Sequence, residues 1–258
     1  MTKYQIPMNE ASEEFTVCWQ AAGKHLVNQV ETGNLKFLRS RLTPPIQEHL
    51  SFIIGNQLFF IHVRDVFSGM TPPSGLEACV NVAELSKGIP CILDMHIDRS
   101  GEWAAVESGW GLKHAVSAEA IDPVELISEE KIEISDYELF DFCVQVVRER
   151  INKEGGEVLN WNSDPRISPS LFFQDAEENV HFVVVCPGRY PEEPVIPNNL
   201  SEIKQSVSSV SESGFYAPIM VVSADDPIDP NVASNGNFLP LCRGHPYFVK
   251  YKELEVIL

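Results

Sequence analysis

Leu58-Phe59-Phe60-Ile61 and Val180-His181-Phe182-Val183 are two apolar runs that lie 122 residues apart in a chain of 258 residues. At the same separation, the apolar positions of residues 15–33 largely coincide with those of residues 137–155. Similarity over this length indicates a fold unit that is present twice.

The match continues beyond these runs. An apolar helical pattern ends at Gly88 in the first half and at Gly214 in the second, and residues 90–94 then match residues 218–222. Each half therefore predicts the order α-β-β-β-α-β with an extra strand. The strands that flank the second helix are expected to be parallel, and the hairpin before it antiparallel. We predict an α/β protein of mixed sheets, built by internal duplication of this unit with pseudo-twofold symmetry.

Acidic residues concentrate between the two halves. Residues 117–136 contain seven carboxylates and one lysine. This composition favours a solvated linker. The predicted organisation is a first unit over residues 13–116, an acidic linker over 117–136 and a second unit over 137–258.

Charge and composition narrow the classes of partner. The net charge is −18, and basic residues form no run longer than two. Nucleic-acid backbones are bound by clustered Lys and Arg, so no nucleic-acid partner is expected. No apolar run approaches the ~20 residues that a membrane helix needs. The first residues also lack the apolar stretch of a secretory signal, which predicts a cytoplasmic protein.

The six cysteines do not suggest a cofactor site. None of them forms a CxxC pair, and most fall on apolar helix faces or strand runs. Buried free thiols are therefore expected in place of a zinc site or a disulfide framework. No cofactor is predicted.

The α-β-β-β-α-β order over residues 15–98 and 137–226 resembles the core of the restriction-endonuclease-like, or PD-(D/E)xK, superfamily. In that family an Asp begins the second strand and Glu-x-Lys lies on the third, and the carboxylates hold a divalent metal ion. The resemblance implies a nuclease-like fold in each half.

The catalytic motif of that family is missing from both halves. In the second half Ser170 stands where the Asp would lie, and Val184-Val185-Cys186 replaces Glu-x-Lys. In the first half the triplet is His62-Val63-Arg64, and Glu48 is a nearby carboxylate out of register. The resemblance therefore implies a relative without catalytic activity, a pseudoenzyme.

The most suggestive polar residues lie in the first half. Asp94, His96 and Asp98 alternate along a predicted strand and so share one face. His62 and Arg64 are expected on the neighbouring strand, near the carboxyl ends where open α/β sheets bind ligands. Imidazole and carboxylate groups together can bind a transition metal or carry out acid–base chemistry.

The second half offers a comparison for this set. The sequence match places Val184, Cys186, Val222, Ala224 and Asp226 at the corresponding positions. The fold therefore does not require the polar set. The alternative interpretation is structural: Asp98 would belong to a turn with residues 99–101, and the other residues would pair among themselves.

These observations favour a non-catalytic binding or scaffolding protein, with a protein or small-molecule partner at the cleft between the units. The alternative is a metal-dependent hydrolase with a single site in the first unit. Its candidate residues are His62, Arg64, Asp94, His96 and Asp98, of which Asp94, His96 and Asp98 are the candidate metal ligands. No membrane association is predicted.

Overall fold

The computed structural model describes residues 11–30, 35–38, 40–42, 48–67, 75–211, 213–226, 238–251 and 253–257. The chain divides into two compact units, residues 1–131 and residues 132–258. Within the described ranges, no helix combines the length and the apolar character needed to cross a bilayer.

The first unit places two helices against a mixed sheet. Its elements are α1 Glu13–Val27, β1 Leu35–Phe37, β2 Leu50–Ile54, β3 Gln57–Asp65, α2 Leu76–Leu85, β4 Ile89–Ile97, β5 Trp103–Ala105, β6 Leu112–His114 and β7 Ala120–Ile121. The strand order is β1-β2-β3-β4-β6-β7, and β5 also pairs with β4. Strands β3 and β4 are parallel, and the other pairs are antiparallel.

The second unit repeats this arrangement. Its elements are α3 Asp136–Lys153, β8 Glu157–Trp161, β9 Leu171–Gln174, β10 Val180–Arg189, α4 Leu200–Val207, β11 Ser213–Ser223, β12 Tyr247–Tyr251 and β13 Glu255–Val256. The order is β12-β11-β10-β9-β8, with β10 and β11 parallel and β13 also paired with β11. The same helix and strand order in both units confirms the predicted fold class and agrees with duplication.

The sheet registers correct one part of the sequence match. Ile61 pairs with Cys91 in the first sheet, and Val183 pairs with Phe215 in the second. Cys91 therefore corresponds to Phe215. The sequence match of residues 90–94 with residues 218–222 had paired Cys91 with Ile219, which lies four residues later. The shift is an even number of residues, so each side chain keeps its face of the strand. By the same register, Asp94 corresponds to Pro218 in place of Val222.

Each sheet has two differently packed faces. In the first unit Phe59, Ile61 and Val63 of β3 join the core beneath α1. Strand alternation places the intervening residues, including His62, on the opposite face, where α2 packs. In the second unit the equivalent α4 face is an apolar cluster that includes Phe182, Val184 and Ile203.

The segment predicted as an acidic linker has structure of its own. Its β7 pairs with β6 of the first sheet. The Asn56 side chain donates to Ser128 Oγ at 3.0 Å and to the Glu130 carbonyl at 2.8 Å, which ties residues 128–130 to the β2–β3 turn. Ser135, near the segment's end, caps α3 through a hydrogen bond from the Glu138 N–H to its hydroxyl.

A glycine beneath a phenylalanine ring recurs in both units. A Cβ added at Gly214 would lie 2.1 Å from the nearest ring atom of Phe182, and one added at Gly88 would lie 2.8 Å from the nearest ring atom of Phe60. Phe182 is fully buried, so its ring could move only within the packed interior.

We expect Gly214→Ala to lower the free energy of unfolding of the second unit by about 1–3 kcal/mol, the usual cost of overpacking a core. Gly75→Ala is the control, because no atom of the residues that the structure describes lies within 4 Å of the added Cβ. Urea denaturation of both variants measures the difference. Equal unfolding midpoints for the two would contradict the packing argument.

Candidate functional site

Two of the residues predicted from the sequence form an ion pair. The β3–β4 register sets Arg64 opposite Asp94. The guanidinium donates to both carboxylate oxygens of Asp94, from Nε at 2.7 Å and from Nη2 at 2.9 Å. Lys113 Nζ lies 3.6 Å from the same carboxylate and 2.6 Å from that of Glu107. Asp94 is thus held between two cations.

Asp98 closes a turn at the end of β4. Its Oδ1 accepts hydrogen bonds from the Ser100 N–H at 2.8 Å, the Ser100 hydroxyl at 2.6 Å and the Glu102 N–H at 3.0 Å. These bonds, led by that from the Ser100 hydroxyl, hold the pKa of Asp98 below its usual range. Asp98 thus lies in a turn with residues 99–101, as the structural alternative in the sequence analysis predicted.

His96 does not converge with His62. Ile92 is the residue opposite His62, and His96 lies four residues further along β4. At about 3.3 Å per residue this separates the two positions by roughly 13 Å. His96 is half-buried and pairs with Ala104 of β5.

A different group of side chains surrounds His62. Glu48, His49 and His62 each place one potential ligand atom so that all three atoms lie within 4.8 Å of one another. Glu48 is 4% exposed and His62 is 5% exposed, while His49 is half-buried. The two imidazole ring centroids are 6.4 Å apart. We call these three residues the His–Glu cluster.

The β2–β3 hairpin brings the His–Glu cluster together. Gly55, at φ +56°, takes the first position of a two-residue turn, where a positive φ favours glycine. Ile54 therefore pairs with Gln57, and the ladder continues to Leu50 opposite Ile61. One further step along both strands sets His49 opposite His62.

Backbone hydrogen bonds fix the start of β2. The indole Nε1 of Trp19, on α1, donates to the Glu48 carbonyl at 2.6 Å. The Ser40 hydroxyl donates to the His49 carbonyl at 2.6 Å. Both candidate ligands on this segment are thus anchored through their main chain, which limits the positions their side chains can reach.

Both imidazoles are neutral at physiological pH. Burial lowers the pKa of His49 to about 4, with His62 as the second cause. Burial likewise lowers the pKa of His62 to about 4; nearby Arg64 lowers it further, and Asp94 opposes the shift. Among the described residues, neither Nδ1 atom has a hydrogen-bond partner. A buried polar nitrogen without a partner is costly, and a bound ligand would remove that cost.

The second unit lacks the His–Glu cluster at the same places in its fold. Val183 faces Leu171 there, as Ile61 faces Leu50 in the first unit. Ser170 and Val184 therefore stand at the positions of His49 and His62. Because the same fold forms without them, the two imidazoles are not a requirement of the architecture.

Sequence reasoning missed His49 and placed Glu48 outside any site, although a usable signal was present. The apolar runs on either side of Gly55-Asn56-Gln57 predict a hairpin with these three residues as its turn. The structure has a two-residue turn, which pairs Ile54 with Gln57. Counting outward from that pair sets His49 against His62. The candidates predicted from the sequence all lie on β3 and β4 or at their ends. The residue that faces His62 across the hairpin was therefore not among them.

Comparison with known proteins touches only the second unit. Residues 137–257 match the family described as a domain of unknown function (DUF8840). No curated protein matches the chain. No solved structure matches it either. The His–Glu cluster lies outside the matched residues.

Proposed function

We propose that this chain is a non-catalytic binding protein whose first unit binds one divalent transition-metal ion through Glu48, His49 and His62. The observation that carries the proposal is their convergence within 4.8 Å. Two neutral imidazoles and one carboxylate form a ligand set that such ions use widely in proteins.

The chemistry of the ligands selects the class of metal. Mg²⁺ and Ca²⁺ prefer shells made of oxygen atoms, whereas imidazole suits Zn²⁺, Co²⁺, Ni²⁺ and Cu²⁺. His49 and His62 are uncharged at pH 7, with one nitrogen of each ring free of a proton, because burial lowers the pKa of each to about 4. Their nitrogen lone pairs are therefore available without proton displacement.

The surroundings favour binding over catalysis. A hydrolytic centre needs an accessible position and a free general base. Glu48 and His62 are buried. Arg64 and Lys113 neutralise Asp94, the nearest of the predicted carboxylates. The alternative, a metal-dependent hydrolase built on His62, Arg64, Asp94, His96 and Asp98, has less support, because His96 lies roughly 13 Å from His62 along the strands.

Zinc titration tests the proposal. We expect the metal-free protein to bind one Zn²⁺ ion by isothermal titration calorimetry, with no competition from excess Mg²⁺. His62→Val should weaken binding by at least about 100-fold, since loss of even an outer-shell partner costs 10–100-fold. Valine is a suitable replacement, because the second unit has Val184 at this position.

His96→Ala is the matched control, because it removes a half-buried imidazole from the same sheet outside the cluster. Its zinc affinity should stay within about twofold of the parent. A parent protein that binds no stoichiometric zinc, or a control that loses as much affinity as His62→Val, would refute the proposal.

A further inference from the structure

We propose that the outer edge of β12 pairs with the same edge of a second copy of this chain. The contact would join the second-unit sheets of the two copies into one continuous sheet. The residues concerned are Tyr247–Tyr251. The inference is independent of the His–Glu cluster and of the metal ion proposed to bind there.

The ladder between β11 and β12 sets the direction of the main-chain groups. The Ala224 N–H donates to the Pro246 carbonyl at 3.0 Å, so this opposed pair is hydrogen-bonded. Hydrogen-bonded and non-hydrogen-bonded pairs alternate along an antiparallel ladder. Every second residue from Phe248 onward therefore directs its N–H and C=O groups toward β11. The alternate residues direct theirs outward, where the described residues offer no backbone partner: Tyr247, Val249 and Tyr251.

The outer strands at the other sheet edges are short or irregular. In the first sheet, β1 has three residues and β7 has two. In the second sheet, β8 has a register shift between Val158 and Asn160, and the Asn160 side chain accepts the Trp161 N–H at 2.8 Å. Short strands and bulges protect an edge against pairing. β12 has five residues, no proline and a regular register, so it is the most open edge in the described part of the chain.

Contacts with α3 and the preceding loop hold one face of β12 in place. The Tyr247 hydroxyl donates to the Cys242 carbonyl at 2.6 Å, and its ring meets that of Phe142 edge-on, with centroids 5.6 Å apart. Arg150 Cζ lies 5.1 Å from the centroid of the Tyr251 ring. The strand is thus ordered before a partner arrives, which lowers the entropic cost of pairing.

The other face carries the residues that select the partner. Phe248 is 53% exposed, and Lys250 is exposed too. A lysine on an edge strand opposes most partners, because the incoming strand must place a suitable group opposite the ammonium. In a twofold pairing centred on Val249, Phe248 of one copy faces Lys250 of the other. Such non-hydrogen-bonded pairs bring side chains closest together, and an ammonium group over an aromatic ring is attractive.

The same register matches the main-chain groups. Val249 faces Val249 of the second copy, and Tyr247 faces Tyr251 of the second copy. All of these residues direct their N–H and C=O groups outward, so every outward N–H gains an acceptor. A pairing centred on Lys250 would instead oppose two ammonium groups, which is destabilising. The edge is therefore self-complementary in one register, as a twofold contact requires.

Sedimentation equilibrium of the full chain tests the proposal. We expect a reversible monomer–dimer equilibrium in about 0.15 M NaCl, where repulsion between the two acidic chains is screened beyond ~8 Å. Phe248→Lys should raise the dimer Kd at least about 10-fold, because it sets ammonium groups opposite each other in two places. Phe248 is about half exposed, so its replacement leaves the buried core of the second unit intact.

A charge swap tests the register. Adding Lys250→Glu to Phe248→Lys places opposite charges in both contacts and should return the dimer Kd to within about threefold of the parent. Leu159→Lys is the matched control, since Leu159 is 48% exposed on β8 at the opposite edge of the sheet. Its dimer Kd should equal that of the parent.

Three results would overturn the proposal. The first is a parent chain that stays monomeric up to about 1 mM. The second is a dimer that Phe248→Lys does not weaken, or that Leu159→Lys weakens as much. The third is a double variant that does not recover affinity, since Phe248 would then not face Lys250 of the second copy.

Amide hydrogen exchange followed by NMR needs no variant. The outward N–H groups of Tyr247, Val249 and Tyr251 should exchange rapidly in dilute protein and slowly at concentrations where the dimer forms. Protection of these amides in the monomer would show that another segment of this chain covers the edge, and would contradict the proposal.

Discussion

Replacing Arg243 by alanine should lower the free energy of unfolding of the second unit by about 3–5 kcal/mol, the cost of removing one partner from a buried ion pair. Arg243 donates to both oxygens of Glu138, from Nε at 2.7 Å and from Nη2 at 2.9 Å. The two side chains are only 1% and 4% exposed. Without the guanidinium, the Glu138 carboxylate would stay buried with its charge uncompensated.

The effect should reach the beginning of α3. Glu138 also accepts the Ser135 N–H at 2.8 Å and completes a capping box with that residue. Arg243 donates its backbone N–H to the Ile132 carbonyl at 2.9 Å. The ion pair therefore joins the start of α3 to the segment that carries Arg243, and hydrogen exchange of α3 amides should accelerate in the variant.

Lys153→Ala is the control for Arg243→Ala. Lys153 pairs with Glu149 on the same helix at 4.0 Å, with both side chains at least 74% exposed. Exposed pairs of this kind contribute about 0.5 kcal/mol or less. Replacing both Glu138 and Arg243 by methionine should recover much of the loss, since apolar pairs often substitute for buried ion pairs. A loss in Arg243→Ala as small as that in Lys153→Ala would contradict the prediction.

The metal-free first unit should lose stability as the pH falls from about 6.5 to 4. In the unfolded chain His62 titrates near 6.5, whereas burial lowers its folded-state pKa to about 4. Above pH 6.5 the imidazole is neutral in both states and has no effect. Between these two values the unfolded chain binds a proton that the folded chain does not, so unfolding becomes progressively more favourable.

The size of the pH effect follows from the difference between the unfolded-state and folded-state pKa values of His62. His62 should cost about 3 kcal/mol once the pH reaches 4, at 1.36 kcal/mol per unit. His49, whose folded-state pKa is also lowered to about 4, should add a cost of similar size. Urea unfolding in the presence of a chelator, followed by hydrogen exchange of β2 and β3 amides, measures this dependence.

His62→Val isolates the contribution of one imidazole. Relative to the parent, the variant should gain stability steadily as the pH falls from 6.5 to 4, and the gain should be largest at pH 4. His96→Ala should follow the parent profile, because His96 lies outside the cluster. Parallel profiles for His62→Val and the parent would show that His62 does not resist protonation in the folded chain.

Elements with strong periodicity were predictable from the sequence. Apolar residues at helical spacing predict a helix over residues 137–152, and α3 is Asp136–Lys153. The apolar run over residues 50–54 predicts a strand, and β2 has the same two bounds. These segments carry their burial pattern in their own residues, so local sequence is enough to place them.

Other features depend on partners that local sequence does not specify. Strands β6 and β7 have three and two residues, too few to show alternation. In the sequence, Gly109-Trp110-Gly111 predicts only a turn, and both glycines do have positive φ. Trp110 instead packs into the core beneath α1, next to β6.

The site could be located only in part. His62 and Arg64 were correctly expected to lie beside the strand that carries Asp94, since the crossover helix makes β3 and β4 neighbours. Arg64 forms an ion pair with Asp94, whereas His62 keeps a nitrogen without a partner among the described residues. This difference depends on strand register and on burial. Those quantities emerge from the packing of α2 and the hairpin, which no single segment encodes.

The indole of Trp19 and the carboxylate of Glu48 serve opposite faces of one sheet. Trp19 packs with the core beneath α1, while the Glu48 side chain joins the cluster on the α2 side. The Glu48 carbonyl accepts the indole N–H at 2.6 Å, so one residue links the two faces. If the proposed ion binds the Glu48 side chain, we expect it to change the environment of an intrinsic fluorophore on the far side of the sheet, so that Trp19 fluorescence would report whether the site is occupied.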